Sequence, residues 1–247
     1  MKIGLQLFTM RDAGDKNLIH TIERVAKLGY DGVEFAGYGG IPASEMKKVL
    51  DDNGIVAVGS HLGIDSFNDE NFIATTEYLL EIGAKYATIP GLDGKLHADR
   101  ASTVATAERM EYMARKCEAV GIKLSYHNHT SEFTEIYDGD CVEDLFVKNS
   151  EALGIELDVG WATAAGVIVP KYMEDLGDRL HLLHIKDVNA EHEPVEICTG
   201  TTDFPNIFAQ AKKMGIEWGV VEQDRMHKYE DAFESVAESL ANIKKIL

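Results

Sequence analysis

The chain has 247 residues and a formal net charge of -18, from 24 lysine and arginine residues against 42 aspartate and glutamate residues. This charge repels polyanions, so we expect no nucleic-acid or anionic-membrane partner. Hydrophobic residues make up 45% of the chain, enough for a sizeable core, but no apolar run approaches the roughly 20 residues of a membrane-spanning helix. Because neither a signal peptide nor a CxxC pair stands out, a cytoplasmic protein with reduced thiols is expected.

Short β-branched segments alternate with amphipathic helical segments along the chain. The predicted strands are residues 3–8, 32–35, 55–60, 86–89, 123–127, 155–158, 180–185 and 218–221. Helical periodicity is clear at 18–28 and 233–247, and glycine follows the predicted helix ends at positions 29, 54, 83, 121, 154, 177 and 215. Eight such units predict an α/β fold of the (β/α)8 TIM barrel type, formed by residues 1–247 as a single domain. Since an open doubly wound sheet gives a similar alternation, the placement of polar residues must also agree.

Ionisable residues recur where the predicted strands end. In a barrel these ends meet at one face, where active sites lie. Parallel barrel strands are covered on both sides, so acids and imidazoles there need a compensating partner such as a divalent cation. The segment 187–205 lacks periodicity and is predicted to be a loop over this face. The strand-end residues are Glu34, His61, His127, His129, Asp158, His184, Lys186, Asp187, Glu222 and Asp224.

A metal site is predicted at the last strands. Asp158, His184 and Glu222 come from three consecutive strands. Mixed imidazole and carboxylate ligands suit Zn, Mn, Co or Fe better than Ca, which prefers oxygen ligands. The alternation of side chains along a strand sends His127 and His129 to one side, so we expect one of them to be the fourth ligand.

Other strand-end residues are candidates for substrate contacts, each with a structural alternative. Glu34 and His61 would bind sugar hydroxyls or transfer a proton, or else form buried hydrogen bonds. Trp161 would form an apolar wall against a sugar face, or else pack in the core. Lys186 and Arg225 would hold an anionic group or an oxyanion, or else form solvated salt bridges. The predicted substrate-binding residues are Glu34, His61, His129, Trp161 and Arg225.

Six segments carry a family resemblance. They are GLQLFTMRD at 4–12, GVEF at 32–35, YHNH at 126–129 followed by EF, LDVGWA at 157–162, HIKD at 184–187 and VEQD at 221–224. Together they resemble the xylose isomerase-like barrels, in a subgroup with YHNH on strand five. That family includes sugar phosphate isomerases and epimerases, hydroxypyruvate isomerase, inosose dehydratase and the AP endonuclease family 2 nucleases.

The resemblance implies one divalent ion, either Mn, Co, Zn, Mg or Fe. In the family it is held by a glutamate, an aspartate, a histidine and a glutamate on strands five to eight. The last three match Asp158, His184 and Glu222. On strand five this chain has His127 where glutamate is commoner, so that ligand is His127 itself, His129, or Glu132 a few residues on.

The resemblance further implies an isomerase or epimerase of a small sugar or keto-sugar, neutral or phosphorylated, acting by proton transfer through a metal-stabilised enediolate. The implied catalytic residues are Glu222 as ligand and base, with His127 or Glu132 opposite it. Lys186 or His61 is the implied oxyanion or hydroxyl partner. The alternative is a keto-polyol dehydratase or lyase, inosose-dehydratase-like or cleaving a keto-glycoside, on the same metal site. The net charge of -18 argues against an abasic-site nuclease, which must bind DNA. A sugar-binding barrel without catalytic turnover remains an alternative. Barrels of this type often associate, so a homo-oligomer also stays open.

Overall fold

A computed structural model describes residues 1–226 and 228–247, with the side chains of 13–15 left aside. In this part of the chain eight parallel strands close a barrel in which each strand pairs with its neighbours in sequence and the last pairs with the first. The predicted (β/α)8 barrel is therefore confirmed. The strands are β1 Lys2–Gln6, β2 Gly32–Phe35, β3 Val56–His61, β4 Tyr86–Ile89, β5 Lys123–His127, β6 Gly154–Asp158, β7 Leu180–Ile185 and β8 Trp218–Val221.

The helices cover the barrel and supply the outer half of the main core. Their apolar faces pack onto the outward side chains of the strands, while charged residues cover the opposite faces. They are α1 Arg11–Leu28, α2 Ala43–Asn53, α3 Phe72–Ile82, α4 Arg100–Ala119, α5 Thr130–Thr134, α6 Val142–Lys148, α7 Val159–Ala164, α8 Val169–Leu176, α9 Phe204–Met214 and α10 Ala232–Ile246. None of the helices in the described residues combines the length and apolarity that a membrane span needs.

A separate apolar cluster fills the lower end of the barrel. It consists of Val58, Tyr86, Leu182, Trp218 and Val220. Because side chains alternate along a strand, Leu182 and Val220 lie on the same side as the later residues of their strands, which form the site described below. The barrel interior is thus layered, apolar at its base and ionisable above.

Two predicted strand ends shift in the structure. The first strand was expected to run to residue 8, but β1 ends at Gln6, because Leu7–Met10 form a 3-10 turn in which the Gln6 side chain accepts a hydrogen bond from the Phe8 amide at 3.0 Å. The third strand extends to His61, one residue beyond the prediction. With both shifts the last residue of the strand is a polar one, Gln6 in β1 and His61 in β3, and its side chain lies inside the barrel.

The prediction of a helix end at Gly154 was wrong. α6 ends at Lys148, and Gly154 is the first residue of β6. A Cβ atom built on Gly154 would lie 2.0 Å from the His181 ring, so the position requires glycine for close approach rather than for a helix cap. By contrast, Gly29 and Gly83 do end their helices in the left-handed conformation.

The segment after β7 contains a small hairpin in which 187–188 pairs with 194–195. The Asp187 carboxylate accepts hydrogen bonds from the amides of Val188, Gly200 and Thr202, at 2.8 to 3.1 Å. Asp187 is therefore committed to organising this loop, and a polar strand-end residue need not belong to a site.

Candidate metal centre

Four side chains converge at the upper end of the barrel. His127, Asp158 and His184 lie on β5, β6 and β7, and Glu222 follows β8 directly. All four are buried, and one ligand atom from each lies within 4.8 Å of the others. The structure thus brings together the three predicted ligands Asp158, His184 and Glu222 with His127, one of the three candidates for the fourth; we call these four residues the outer group.

The donor atoms of the outer group suit a cation. Asp158 Oδ1 accepts a hydrogen bond from the Trp161 amide at 2.8 Å, which caps α7 and fixes the carboxylate. Asp158 Oδ2 lies 3.0 Å from Lys186 Nζ, its partner in an ion pair, and 3.9 Å from His127 Nε2. Within the described residues, His127 Nδ1 is buried and forms no hydrogen bond. Buried polar atoms usually have partners, and two imidazoles with two carboxylates fit Zn, Mn, Co or Fe.

Burial and neighbouring charges set the protonation states of His127 and Glu222. Burial and the neighbouring His184 hold the pKa of His127 well below its ordinary value, so its imidazole is neutral and has a free lone pair. Burial alone would raise the pKa of Glu222, but Lys186 and His184 outweigh it and hold that pKa well below normal. Glu222 is consequently an anionic carboxylate at neutral pH.

Lys186 lies among three carboxylates. Its Nζ is 3.0 Å from Asp158 Oδ2, 2.9 Å from Glu222 Oε2 and 2.8 Å from Asp224 Oδ2. Burial alone would lower the pKa of Lys186, but the three carboxylates outweigh burial and raise that pKa above its ordinary value. The ammonium therefore keeps its charge. The ammonium also lies 4.6 Å from the centre of the Trp161 ring.

A second group lies below the outer group and shares two residues with it. His61 and Glu156 have ligand atoms within 4.8 Å of those of His127 and His184. His61 Nε2 lies 2.8 Å from Glu156 Oε2. Sequence reasoning missed Glu156, although its position two residues before Asp158 places both carboxylates on one side of β6.

Glu34 lies inside the barrel rather than at its open mouth. It has no exposed surface. Its Oε2 accepts a hydrogen bond from Gln6 Nε2 at 2.8 Å and lies 2.7 Å from His184 Nε2. Glu34 is therefore surrounded by protein polar groups.

Glu132 lies outside both groups. Its carboxylate accepts hydrogen bonds from the Tyr126 hydroxyl, the His129 amide and the Ser131 hydroxyl, each at 2.8 Å. Although burial raises the pKa of Glu132, these donors hold it below its ordinary value. Glu132 is committed to the start of α5. A glutamate three residues after a helix N-cap is a recognisable sequence signal for that role.

Two cavities open above the outer group. The first has a volume of about 320 Å³ and contains His61, His127, His129 and Glu222 in its wall. The second, of about 450 Å³, is lined by Trp161, Arg225 and three residues of the loop after β7, His192, Glu193 and Pro194. Asp224 lines both, so the cavities adjoin, and the predicted substrate-binding residues other than Glu34 lie in their walls.

Comparisons with known proteins agree with this fold. A family model described as xylose isomerase-like TIM barrel matches residues 22–246. A sugar phosphate isomerase/epimerase of Parabacteroides distasonis superposes with a TM-score of 0.87 at 28% identity, covering 98% of this chain and 93% of that one. A second from the same organism gives 0.86 at 25% identity, over 99% and 98%. An inosose dehydratase of Geobacillus kaustophilus is 24% identical over 83% of this chain and 79% of its own length.

Proposed function

The chain belongs to the xylose isomerase-like TIM barrel family, and on this premise we propose that it is a divalent-metal-dependent isomerase or epimerase of a small sugar or keto-sugar. The observation that carries this proposal is the buried outer group of His127, Asp158, His184 and Glu222, which faces a cavity of about 320 Å³. Small-molecule sites in barrels lie at this end of the strands.

The outer group would hold the ion. A bound divalent cation polarises a carbonyl and the neighbouring hydroxyl oxygen of a sugar. His127 offers a neutral imidazole, and Asp158 offers a carboxylate oxygen 3.9 Å from His127 Nε2. These properties support both residues as ligands, while His129 lies in the cavity wall and Glu132 is held by three donors.

Proton transfer would fall to Glu222. Its carboxylate is anionic and borders the cavity, so it can accept a carbon-bound proton beside the carbonyl. The Lys186 ammonium, 2.9 Å away, can stabilise the developing negative charge on oxygen. Return of the proton to the neighbouring carbon isomerises the sugar, and return to the opposite face of the same carbon epimerises it. We assign His127 as a ligand only, because an imidazole that binds an ion through one nitrogen carries an N–H on the other and has no second lone pair.

The charges around the cavities favour a neutral keto-sugar. Lys186 is already paired with three carboxylates, and the cavity walls carry Glu222, Asp224 and Glu193. Arg225 is the basic residue in the wall of the second cavity. We therefore assign His61 and His129 to contacts with the reacting sugar, and Trp161 and Arg225 to the part of the substrate that extends beyond it.

A dehydratase or lyase is the second candidate function. It is favoured by the inosose dehydratase that is 24% identical over 83% of this chain. The same proton abstraction precedes both reactions, because loss of a β-hydroxyl or another β-leaving group from the enediolate completes an elimination. Product mass separates the two, since an isomer or epimer retains the substrate's mass.

The decisive experiment measures metal content and proton exchange together. Purified protein incubated with Mn, Co, Zn or Fe is expected to retain one ion per chain and to catalyse deuterium incorporation from D2O beside the carbonyl of a keto-sugar, followed by NMR. The double variant Glu222→Gln, His184→Ala is expected to lose both properties. Glu191→Gln with His20→Ala, two exposed positions, is the matched control. Retention of metal by the double variant, or exchange without any metal, contradicts the proposal.

A further inference from the structure

A chain of buried hydrogen bonds runs beneath the outer group from β1 to β7. The Phe8 amide donates to Gln6 Oε1 at 3.0 Å, and Gln6 Nε2 donates to Glu34 Oε2 at 2.8 Å. Glu34 Oε2 lies 2.7 Å from His184 Nε2. Gln6, Glu34 and His184 have no exposed surface, so water does not compete for these bonds.

The two ring nitrogens of His184 face different partners. Nε2 faces Glu34, whereas Nδ1 lies 3.2 Å from Glu222 Oε2, on the side of the outer group. An imidazole that binds a metal with one nitrogen usually donates the N–H of the other to a carboxylate or carbonyl, which fixes its tautomer and its orientation. A proton kept on Nε2 by Glu34 leaves the Nδ1 lone pair for a cation.

We propose that Glu34 is the positioning residue of the metal centre, with Gln6 as its support. Glu34 orients His184 so that Nδ1 points to the outer group, and it makes no contact with the substrate. This inference rests on the metal site of the proposed function, and it replaces the sugar-binding or proton-transfer role expected for Glu34 from the sequence.

Two residues of the neighbouring strand β3 restrain the position of the Glu34 carboxylate. A Cβ atom on Gly59 would lie 3.2 Å from Glu34 Oε1 and 2.9 Å from the Tyr86 carbonyl oxygen. The absence of a side chain at Gly59 therefore leaves room for the carboxylate. His61 adds a second restraint, because its Nε2 lies 3.3 Å from Glu34 Oε2 and its ring stacks on that of His184 at 5.0 Å and 16°.

The second group, formed by His61, His127, Glu156 and His184, is better explained as support than as a second metal site. It shares His127 and His184 with the outer group. Two ions bound at once would require both rings to coordinate through both nitrogens, so neither could keep an N–H. The hydrogen-bond distances of 2.7 Å and 2.8 Å that Glu34 and Glu156 make to imidazole nitrogens agree with a supporting layer.

The test compares the affinity of three variants for Mn²⁺ and Co²⁺ by competition with a chromophoric chelator. Glu34→Gln is expected to weaken binding about 10- to 100-fold, the usual effect of losing such a carboxylate. Gln6→Leu, which leaves Glu34 and His184 intact, is expected to weaken it in the same direction by less. Glu143→Gln removes another fully buried carboxyl, outside both groups, and is expected to bind like the wild type.

A spectroscopic measurement separates positioning from a general loss of structure. In the Zn²⁺-loaded protein with ¹⁵N-labelled histidine, His184 is expected to be metal-bound at Nδ1 and protonated at Nε2, and Glu34→Gln is expected to lose this single form. Should Glu34→Gln fail to fold, Gln6→Leu carries the same comparison.

The outcomes distinguish this inference from the proposed function. Wild-type affinity in Glu34→Gln, or coordination through Nε2, overturns the positioning role while leaving the metal centre intact. The expected loss of affinity, together with no deuterium exchange on any keto-sugar, supports the positioning role and overturns the proposed function. Failure of the wild type to bind any of the ions overturns both.

Discussion

Single ionisable residues in this barrel lie where water cannot solvate a charge, and Glu143 is the clearest case outside the candidate metal centre. It is fully buried on α6, and neither carboxylate oxygen has a hydrogen-bond partner within residues 1–226 and 228–247. Burial, with a further contribution from Glu132, raises the pKa of Glu143 well above its ordinary value of 4.5. The folded protein therefore holds a neutral carboxyl at this position.

This shift predicts how stability changes with pH. The folded-state pKa of Glu143 is above its unfolded value. The contribution of Glu143 to the free energy of unfolding is therefore fully present below about pH 4 and is lost as pH rises towards the folded-state pKa. Glu143→Gln removes this loss, so its Tm should exceed that of the wild type at pH 8 and approach it at pH 4. Thermal denaturation across this range measures the difference, with the exposed Glu191→Gln as control. A difference that does not grow with pH contradicts the prediction.

Lys186 and a bound cation would stabilise the negative charge of the same carboxylates. Lys186→Met leaves Asp158, Glu222 and Asp224 without the ammonium that lies within 3.0 Å of each. Breaking a buried ion pair in this way costs about 3–5 kcal/mol, so the metal-free variant should melt well below the wild type. Mn²⁺ should then raise its Tm by more than it raises that of the wild type, as scanning calorimetry would measure. An equal or smaller rise in the variant shows that the ion and the ammonium act independently.

Elements position the site through close packing as much as through hydrogen bonds. α7 begins immediately after Asp158, and its Gly160 faces Lys186, the residue that follows β7. A Cβ atom on Gly160 would lie 2.7 Å from the Lys186 carbonyl oxygen and 2.8 Å from Lys186 Cβ, distances that real Cβ atoms do not tolerate. The first turn of α7 and the end of β7 are therefore in contact through a glycine.

Gly160→Ala should separate these two elements. Overpacking of this kind costs about 1–3 kcal/mol, and the displaced Lys186 should also change the affinity for Mn²⁺. Gly63→Ala is the matched control, because its Cβ would meet no atom within 4 Å and its φ of -60° suits alanine. Denaturant titration and chelator competition measure the two effects. Equal stability in the two variants would mean that α7 adjusts without strain.

The predictability of the elements follows from how local their signals are. The bounds of β2, β4, β5, β7 and β8 agree with the sequence prediction because each is a short segment that lies between clearly helical segments. The error at Gly154 arose because the reason for glycine there is the His181 ring from the next strand, which is distant in sequence. Local pattern cannot reveal a contact of that kind.

The same distinction applies to the site. His127, Asp158, His184 and Glu222 were found because each lies at or next to the last residue of a strand, and barrel topology brings strand ends together. Glu156 lies within a strand and was overlooked. The position of Glu34 beneath His184 depends on Gln6, Gly59 and His61 from three strands, so only the closed barrel reveals it.

At the scale of the whole molecule, the net charge of -18 acts against the compact state by self-repulsion. Raising NaCl from about 0.01 M to about 0.1 M shortens the screening length from about 30 Å to about 10 Å. The Tm should therefore rise, by about 2 to 4 °C for each kcal/mol of repulsion relieved. KCl should act equally, since screening does not depend on the cation. A flat or falling Tm contradicts this expectation.

The apolar cluster at the base of the barrel restricts access to the candidate site to the opposite end. Val58, Tyr86, Leu182, Trp218 and Val220 fill the lower end, so under the proposed function an ion, a sugar and an exchanging proton would all pass through the same mouth. Their order of entry would then matter, since a sugar bound in the cavity would stand between the ion and the solvent. An occupied cavity would trap the ion beneath it, and the residence time of the metal would lengthen whenever substrate is present.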